Sequence, residues 1–585
     1  MTDEAPAETV EGGLEEPEGL EPAQGTLRLA SDEDRFTVAD WEAAAAAVLR
    51  KSRLLGDDDP DELVWDRLTR TTLDGIGITP LGTPALLEGL TTSGRPTRQG
   101  AWDIRSLVRA DDARLAHEEA LADLEGGVTS LWVRAEGDVD LATVLDGVLL
   151  DLAPVVLDGV DPDAFLSYAG DRELHPDTNL GVPAVEAGAA VADRARQAGI
   201  RAFVVDATAV HDRGASDVQE LAWSLAAGAT YLRTLTEAGL DVDAAARLVE
   251  FRYAATDEQL TTIAKLRAAR RMWGRVLELS DAGTREMRVH AVTSRPMMSK
   301  YDPWVNMLRT TVAAFAAGVG GADSVTVIPF DSPLGRPDAF GRRIARNTSH
   351  LLIDESHVAH VADPAGGSYA VEKLTEDLAL ASWELFGRLD DGTADLDAEI
   401  ADTVARRDAE VATRKRPITG LTEFPNLDET LPERAPGADE VRRYGAAFEA
   451  LRDDPVPRKV FLATLGSVAS HTARATFATN LLAAGGIGVD VAGATDGVDD
   501  LLEKYDGRPV VCLAGADPTY AEWGADAVAA LRGAGATHVI VAGKPGDLDV
   551  DDSCATGVNA LEFLTRTRLV LSSRGTSGIE GEKPA

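Results

Sequence analysis

Short β-rich runs alternate with long helical patterns from about residue 105 to 395, and this alternation limits what the chain can become more tightly than any other feature of it. Strands joined through helices make βα units and a parallel sheet rather than hairpins. The candidate strands are TSLWVRA (129–135), APVVLDG (153–159), RAFVVDA (201–207), MRVHAVTS (287–294) and SVTVIPF (324–330). Helical stretches such as DVQELAWSLAAGATYLRTLTEAG (217–239) and DEQLTTIAKLRAARRMWGRVLEL (257–279) lie between them. The number of units and the length of the region suit a (β/α)8 TIM barrel better than an open sheet.

The alternation stops in a charged, proline-containing segment, 400–455, in which RKRPITGLTEFPNLDETLPERAP reads as an extended connector. It restarts as KVFLATLG, GVDVAG, RPVVCLAG and THVIVAG with helices between, so that four short parallel strands predict a doubly wound, flavodoxin-like domain over 456–585. Residues 1–34 are acidic and nearly free of aromatics, which predicts a disordered tail. TVADWEAAAAAVLRKS (37–52) predicts a helix with Asp40 as its N-cap, and TTLDGIGITPLGT (71–83) after it has no regular period. This arm, 35–90, is expected to be too thin for a core of its own and to lie on something else; the barrel then occupies 91–399.

Charge narrows the possible partners. Against 57 basic residues stand 98 acidic ones, a formal net charge of -41, which repels nucleic acid and anionic membrane. Proteins and small molecules are the expected partners. No apolar run approaches the roughly 18 residues that cross a bilayer, and the first residues have neither a basic n-region nor an apolar h-region, so a soluble protein with a cytoplasmic address is expected. Two cysteines, Cys512 and Cys554, are too few for a disulfide framework or a cysteine-rich metal site.

Three histidine neighbourhoods could carry chemistry. His471, in LGSVASHTAR, follows the first strand of the doubly wound domain, where ligands of such sheets usually sit. It could ligate a transition metal or a corrin cobalt, but a ligating imidazole needs an acceptor behind it, and no carboxylate lies within ten residues on either side. His357 and His360, with Glu355 and Asp363 nearby, could hold zinc or iron on a helix, but DPAGGS breaks one, and no metal is expected. His211, with Asp212, falls just past RAFVVDA, and catalytic residues of barrels sit at the C-terminal ends of strands. It is the best-placed acid/base candidate. An ordinary surface or loop histidine is the competing reading in each case. No P-loop, dinucleotide fingerprint, nucleophile elbow or H-E-x-x-H is present, and GVGGADS (318–324) reads as a helix C-cap and turn.

Several segments resemble one family. SRPMMSKYDPWVNMLRTTVAAFAAGVGGADSVTVIPFD (294–331) and GRRIARNTSHLLIDESHVAHVADPAGGSYAVEKLT (341–375) are similar to the barrel of the adenosylcobalamin-dependent acyl-CoA mutases, above all methylmalonyl-CoA mutase. AWDIR (101–105), ATYLRTLTEAGLDVD (229–243), IAKLRAARRMW (263–273) and ITGLTEFPN (418–426) agree with it, so the resemblance runs from about Thr71 to the C-terminus. It implies a barrel threaded by the pantetheine arm of a CoA ester, then a linker and a cobalamin domain, with cobalt–carbon homolysis driving the interconversion of succinyl-CoA and methylmalonyl-CoA.

The family's cobalamin turn reads D-x-H-x-x-G. Alignment on Gly466 puts Val468 at the aspartate, Ser470 at the histidine and Ala473 at the glycine; moving the register by one makes His471 the ligand but leaves Ala469 and Arg474 at the other two positions. The family's S-x-L becomes Val511, Cys512 and Leu513, and its later glycine pair becomes Gly543 followed by Lys544. In the barrel, Thr97 stands where a tyrosine precedes the tryptophan, here Trp102, and the loop of the catalytic histidine is two residues shorter at VHDRGA. A kept fold with both sites degraded resembles the small, non-catalytic subunit of bacterial heterodimers of this family. The resemblance then implies no catalytic, cofactor or metal residues in this chain, with adenosylcobalamin and acyl-CoA held by a large catalytic subunit and the 35–90 arm wrapping that partner. Two alternatives stay open: an independently active mutase with His471 as a shifted ligand, and an acyl-CoA-binding regulatory chain.

Overall fold

A computed structural model describes residues 31, 35–91, 97–437 and 441–572. The expected tail, 1–34, lies outside the described residues apart from Ser31. The chain divides into two compact units, one up to Arg70 and one from Thr71 onward.

In the first unit the helix α1 (Val38–Lys51) is capped by Thr37, and the expected cap, Asp40, is its third residue. Both are used: the Asp40 amide donates to Thr37 Oγ1 at 3.2 Å, and the Thr37 amide donates to Asp40 Oδ2 at 2.7 Å, a reciprocal capping box. The expectation that this region has no core is corrected. Ala46, Leu49, Leu55 and Val64 are buried together, and the Trp41 and Trp65 rings meet at 4.6 Å, because the small alanine face of α1 lets the chain fold back closely.

In the second unit eight parallel strands close into a barrel: β1 (Asp103–Arg109), β2 (Ser130–Arg134), β3 (Val155–Asp158), β4 (Asn179–Val182), β5 (Arg201–Asp206), β6 (Val249–Ala255), β7 (Arg288–Thr293) and β8 (Ser324–Thr326), with β8 pairing β1. The five expected runs contain β2, β3, β5, β7 and β8; β1, β4 and β6 were not expected as strands. Helices α2 (Asp217–Glu237), α3 (Gln259–Leu279) and α4 (Tyr369–Asp390) cover part of the outside, and α4 starts after Ser368, as the glycine turn predicts. The β3–β4 contact depends on a glycine. Gly181 has φ +71°, and a Cβ there would lie 1.8 Å from the Leu157 carbonyl oxygen. Gly181→Ala is therefore expected to cost at least ~2 kcal/mol, read by urea denaturation.

The doubly wound domain has one strand more than the four expected. Its order is β10-β9-β11-β12-β13, all parallel, for β9 (Val460–Thr464), β10 (Val489–Val491), β11 (Val510–Ala514), β12 (His538–Ala542) and β13 (Asp552–Cys554). The connector is not a loose spacer. Helix α5 (Leu396–Ala412) crosses its expected start at 400 and α6 (Ala446–Asp453) lies near its end. Between them Leu421 is fully buried, and with Val411 and Phe448 it joins the core under β9 and β11. Helix α7 (Val468–Ala484) holds the connector through Asn480, which accepts from the Phe424 amide at 2.9 Å and donates to Glu423 at 2.7 Å; helix α8 (Ala560–Ser572) ends the described chain.

Candidate functional site

Alternate residues of barrel strands point to the axis, and here they fill it with charge. Arg105 on β1 and Glu250 on β6 pair at 2.7 Å with both side chains wholly buried. Arg252, also on β6, lies 4.0 Å over the Trp132 ring and pairs with Asp206 at 2.7 Å. Its Nε donates to His290 Nδ1 at 3.2 Å, so His290 carries its proton on Nε2, which donates to Thr326 Oγ1 at 2.8 Å. Burial, and then Arg105, Arg252 and Arg288 around it, push the His290 pKa well below the usual histidine value and keep it neutral. Burial alone would raise the Asp206 carboxyl, but the Arg252 ion pair, the Thr208 hydrogen bond and the Arg295 charge together outweigh it and hold the group below the usual range. Trp132, Arg105 and Arg252 are among the largest fully buried side chains of the protein.

His211 does reach the C-terminal mouth of the barrel, in a short helix, Thr208–Asp212, directly after β5. It is not free there. Its Nε2 lies 2.7 Å from Ser294 Oγ, its Nδ1 lies 3.6 Å from Glu220 Oε2, and the residue is 2% exposed. Glu220 is itself committed, accepting from the Ala254 amide at 2.7 Å and from Lys265 at 2.8 Å. Burial alone would lower the Lys265 ammonium, but Asp217 and Glu220 outweigh it and raise it. Asp212 pairs with Arg295. The connector is anchored on two sides of this mouth, where the Tyr444 amide donates to the Pro296 carbonyl and the Arg336 amide to the Ala435 carbonyl.

In the doubly wound domain His471 is not in a turn. Helix α7 begins at Val468 behind the cap Ser467, and His471 lies in its first turn, 6% exposed, with Nδ1 3.2 Å from the Gly466 carbonyl. Ser470 Oγ donates to the Ser467 carbonyl at 2.7 Å; Val468 and Ala473 are exposed. Val511 is fully buried in the core beside Phe461 and Val539. Lys544, next to Gly543, is exposed. The crowding residue is Arg474, which reaches across from α7. A Cβ on Gly543 would lie 3.1 Å from the Arg474 guanidinium carbon, Nη1 of Arg474 donates to the Gly515 carbonyl at 2.6 Å, Nη2 pairs with Asp517, and the group lies 4.9 Å over the Tyr520 ring.

His357 and His360 are exposed and stack at 4.4 Å, while Asp363 is held by Arg267 at 2.9 Å. Among the described residues no three His, Cys, Asp or Glu side chains are grouped to hold a metal ion, and no helix is long and apolar enough to cross a membrane. Thr97 and Trp102 lie at the other, N-terminal face of the barrel; Trp102 is buried against Gly318. Thr97 lines an open cleft there, together with six arginines, Arg98, Arg196, Arg201, Arg247, Arg270 and Arg288, and only three carboxylates. Nothing in the sequence reading pointed to this cleft, since its arginines come from five separate segments.

A closed parallel barrel followed by a flavodoxin-like sheet is the architecture that the resemblance to the acyl-CoA mutases implies. Residues 194–483 match the family model described as methylmalonyl-CoA mutase. The chain is 41% identical to the methylmalonyl-CoA mutase small subunit of Streptomyces virginiae, over 92% of this chain and 98% of that one. It is 41% identical to the probable methylmalonyl-CoA mutase small subunit of Mycobacterium bovis, over 86% and 92%, and 35% identical to the small subunit of Propionibacterium freudenreichii subsp. shermanii, over 88% and 91%. The chain belongs to the methylmalonyl-CoA mutase family.

Proposed function

We propose that this chain is the small, non-catalytic subunit of an adenosylcobalamin-dependent methylmalonyl-CoA mutase, and that it stabilises a large catalytic subunit that holds both cofactor and substrate in a heterodimer. The filled axis carries this reading. In the family the pantetheine of the CoA ester threads the barrel, whereas here Arg105, Trp132, Glu250 and Arg252 occupy that path as buried, paired groups. Parting them would leave unpaired ions in the interior, which costs several kcal/mol each.

The doubly wound domain supports the same reading. Adenosylcobalamin supplies a radical when it is bound, but the residues here do not fit it: Val468, Ser470 and Ala473 supply neither carboxylate, ligand nor glycine, Val511 offers no hydroxyl, and Arg474 fills the space beside Gly543. The relatives, themselves named as mutase small subunits, agree with a subunit role. We assign the 35–90 arm to the partner's surface. The test is a titration of the isolated chain with hydroxocobalamin. No change in the corrin absorption is expected, and a shift that saturates in the micromolar range would end the proposal.

A second reading, an acyl-CoA effector site, is favoured by the N-terminal cleft, which six arginines line in a chain of net charge -41, although Arg201, Arg270 and Arg288 are already paired with Asp177, Asp323 and Asp103. Calorimetry of the separate chain with succinyl-CoA decides it. Heat that is lost when Arg201 and Arg247 become alanine supports an effector site, and no heat ends it.

A further inference from the structure

Besides the covalent connector, two attachments cross from the barrel to the doubly wound domain. The first is α5. On the barrel side Gln219 Nε2 donates to its Glu399 carbonyl and to Thr403 Oγ1, each at 2.9 Å, and Arg407 Nη1 donates to the Gly214 carbonyl at 2.8 Å. Near its other end Val411 lies in the core under β9 and β11. A single helix that bridges two bodies in this way can act as a hinge between them.

The second attachment is the loop between β7 and the helix Val305–Val319. Its start belongs to the barrel: the Ser294 amide donates to the Ala255 carbonyl at 2.7 Å, and Asn306 Nδ2 ties the Ser299 carbonyl at 2.8 Å to the Phe330 carbonyl at 2.9 Å. Its end belongs to the other domain. Tyr301, 8% exposed, lies in the same core as Leu421, Phe448 and Val460; its hydroxyl donates to Asp453 at 2.8 Å, and the Arg452 guanidinium lies 4.0 Å over its ring. On either side of it the Lys300 amide donates to Glu449 and the Asp302 amide to Glu429, each at 2.8 Å. Three consecutive residues of a barrel loop are thus held by α6 and the connector. Asp302 has φ +46°, and a Cβ on Gly420 would lie 2.5 Å from the Asp302 Cβ. A residue other than glycine stays in that conformation only where its surroundings hold it.

We propose that the loop from Ser294 to Asp302 is a strut that, together with α5, locks the barrel and the doubly wound domain at one angle, so that the chain meets a partner as a single rigid body. Domains joined through a connector move relative to each other by default, unless the contact between them is substantial and apolar. Here the joint is apolar at its centre, where Tyr301 packs with Leu421 and Phe448, and charge-paired at its rim, where Lys300 meets Asp453. A swing about α5 has to draw Tyr301 out of that core, leave Arg452 without the ring beneath it, and break the bonds to Glu449, Glu429 and Asp453 together. The same loop carries Ser294, whose hydroxyl lies 2.7 Å from His211 Nε2, so one rigid segment runs from the barrel mouth into the second domain. The strut does not depend on which chain holds the cofactor.

Pulsed dipolar spectroscopy of the full chain tests this, with nitroxides on Glu278→Cys in α3 and Ala529→Cys in the helix Ala525–Gly533, both exposed positions; Cys512 and Cys554 are buried. With the loop intact one narrow distance distribution is expected, and Tyr301→Ala is expected to widen it at least about twofold. Asp453→Ala, which frees Lys300 and the Tyr301 hydroxyl but leaves the ring in its core, is expected to widen it part of the way. A second pair inside the barrel, Glu237→Cys with Glu278→Cys, is expected to stay narrow throughout and reports whether the barrel is folded. A broad distribution with the loop intact, or a Tyr301→Ala width equal to that of the intact loop, overturns the strut. Should Tyr301→Ala also broaden the pair inside the barrel, Asp453→Ala decides: a wider distribution between the domains supports the strut, and an unchanged one overturns it.

Discussion

Glu250→Ala is expected to destabilise the barrel unit by about 3–5 kcal/mol, the range for breaking a buried ion pair by removing one partner. Glu250 Oε1 accepts from Arg105 at 2.7 Å, and neither side chain has any exposure. Without the carboxylate, Arg105 keeps only its bond to Ser130 at 3.1 Å and a distant Asp103 at 3.6 Å, and its charge adds to those of Arg252 and Arg288 around neutral His290. Urea unfolding followed by tryptophan fluorescence reads the loss, since Trp132 and Trp273 are buried. Two controls separate charge from packing. Arg105→Met combined with Glu250→Leu is expected to recover most of the stability, because an apolar pair of similar volume often matches a buried ion pair. Glu278→Ala, whose pair with Arg275 is 53% exposed on both sides, is expected to leave the stability almost unchanged. Should Glu250→Ala cost no more than Glu278→Ala, the axial column is not structural, and the argument that it bars a threaded substrate fails with it.

The same column explains what could and could not be read in the sequence. β2, β3 and β5 were legible because SLWVR, VVLD and RAFVVD each hold an unbroken, buried apolar run with polar residues only at the ends. β1, β4 and β6 were not, because they carry Arg105, Asn179, Glu250 and Arg252 among their inward residues, and polar groups inside a short run look like a solvated surface. Their partners are far away in the chain: Arg105 and Glu250 are 145 positions apart, and no local period reports such a pairing. β13 was missed for a simpler reason, being three residues long with an aspartate at its start.

At the candidate sites, position was legible and availability was not. His211 was correctly expected at the barrel mouth, yet only the fold brings Ser294 and Glu220 to its two nitrogens. Around Gly543 the sequence shows the adjacent Lys544, but not that a long side chain from another element, Arg474, reaches into the space. Asp40 alone is the cap the sequence suggests, whereas the structure makes Thr37 the N-cap and Asp40 the other half of the capping box.

Turnover of succinyl-CoA is expected from a mixture of this chain with a longer homologue that keeps D-x-H-x-x-G, and none from this chain alone. His471 decides between the main reading and its sharpest rival. Its Nδ1 faces the Gly466 carbonyl at 3.2 Å, and a backbone acceptor of that kind can fix a tautomer as a carboxylate would, which is the one feature of the loop that suits a ligand. The ring is nevertheless packed into the first turn of α7, with Arg474 across the space beside Gly543. His471→Ala is therefore expected to leave the rate of the mixture within about twofold of the wild type, a difference well under 1 kcal/mol in the barrier. Turnover by this chain alone that His471→Ala abolishes would establish the shifted ligand instead and overturn the subunit assignment. Glu250→Ala supplies the complementary arm. If the small chain acts by its fold, this variant should lower the activity of the mixture in proportion to the fraction unfolded at the assay temperature, and Arg105→Met with Glu250→Leu should restore it. Activity that ignores the folded fraction would mean that the partner works without this chain, and stabilisation would no longer explain why the barrel is kept.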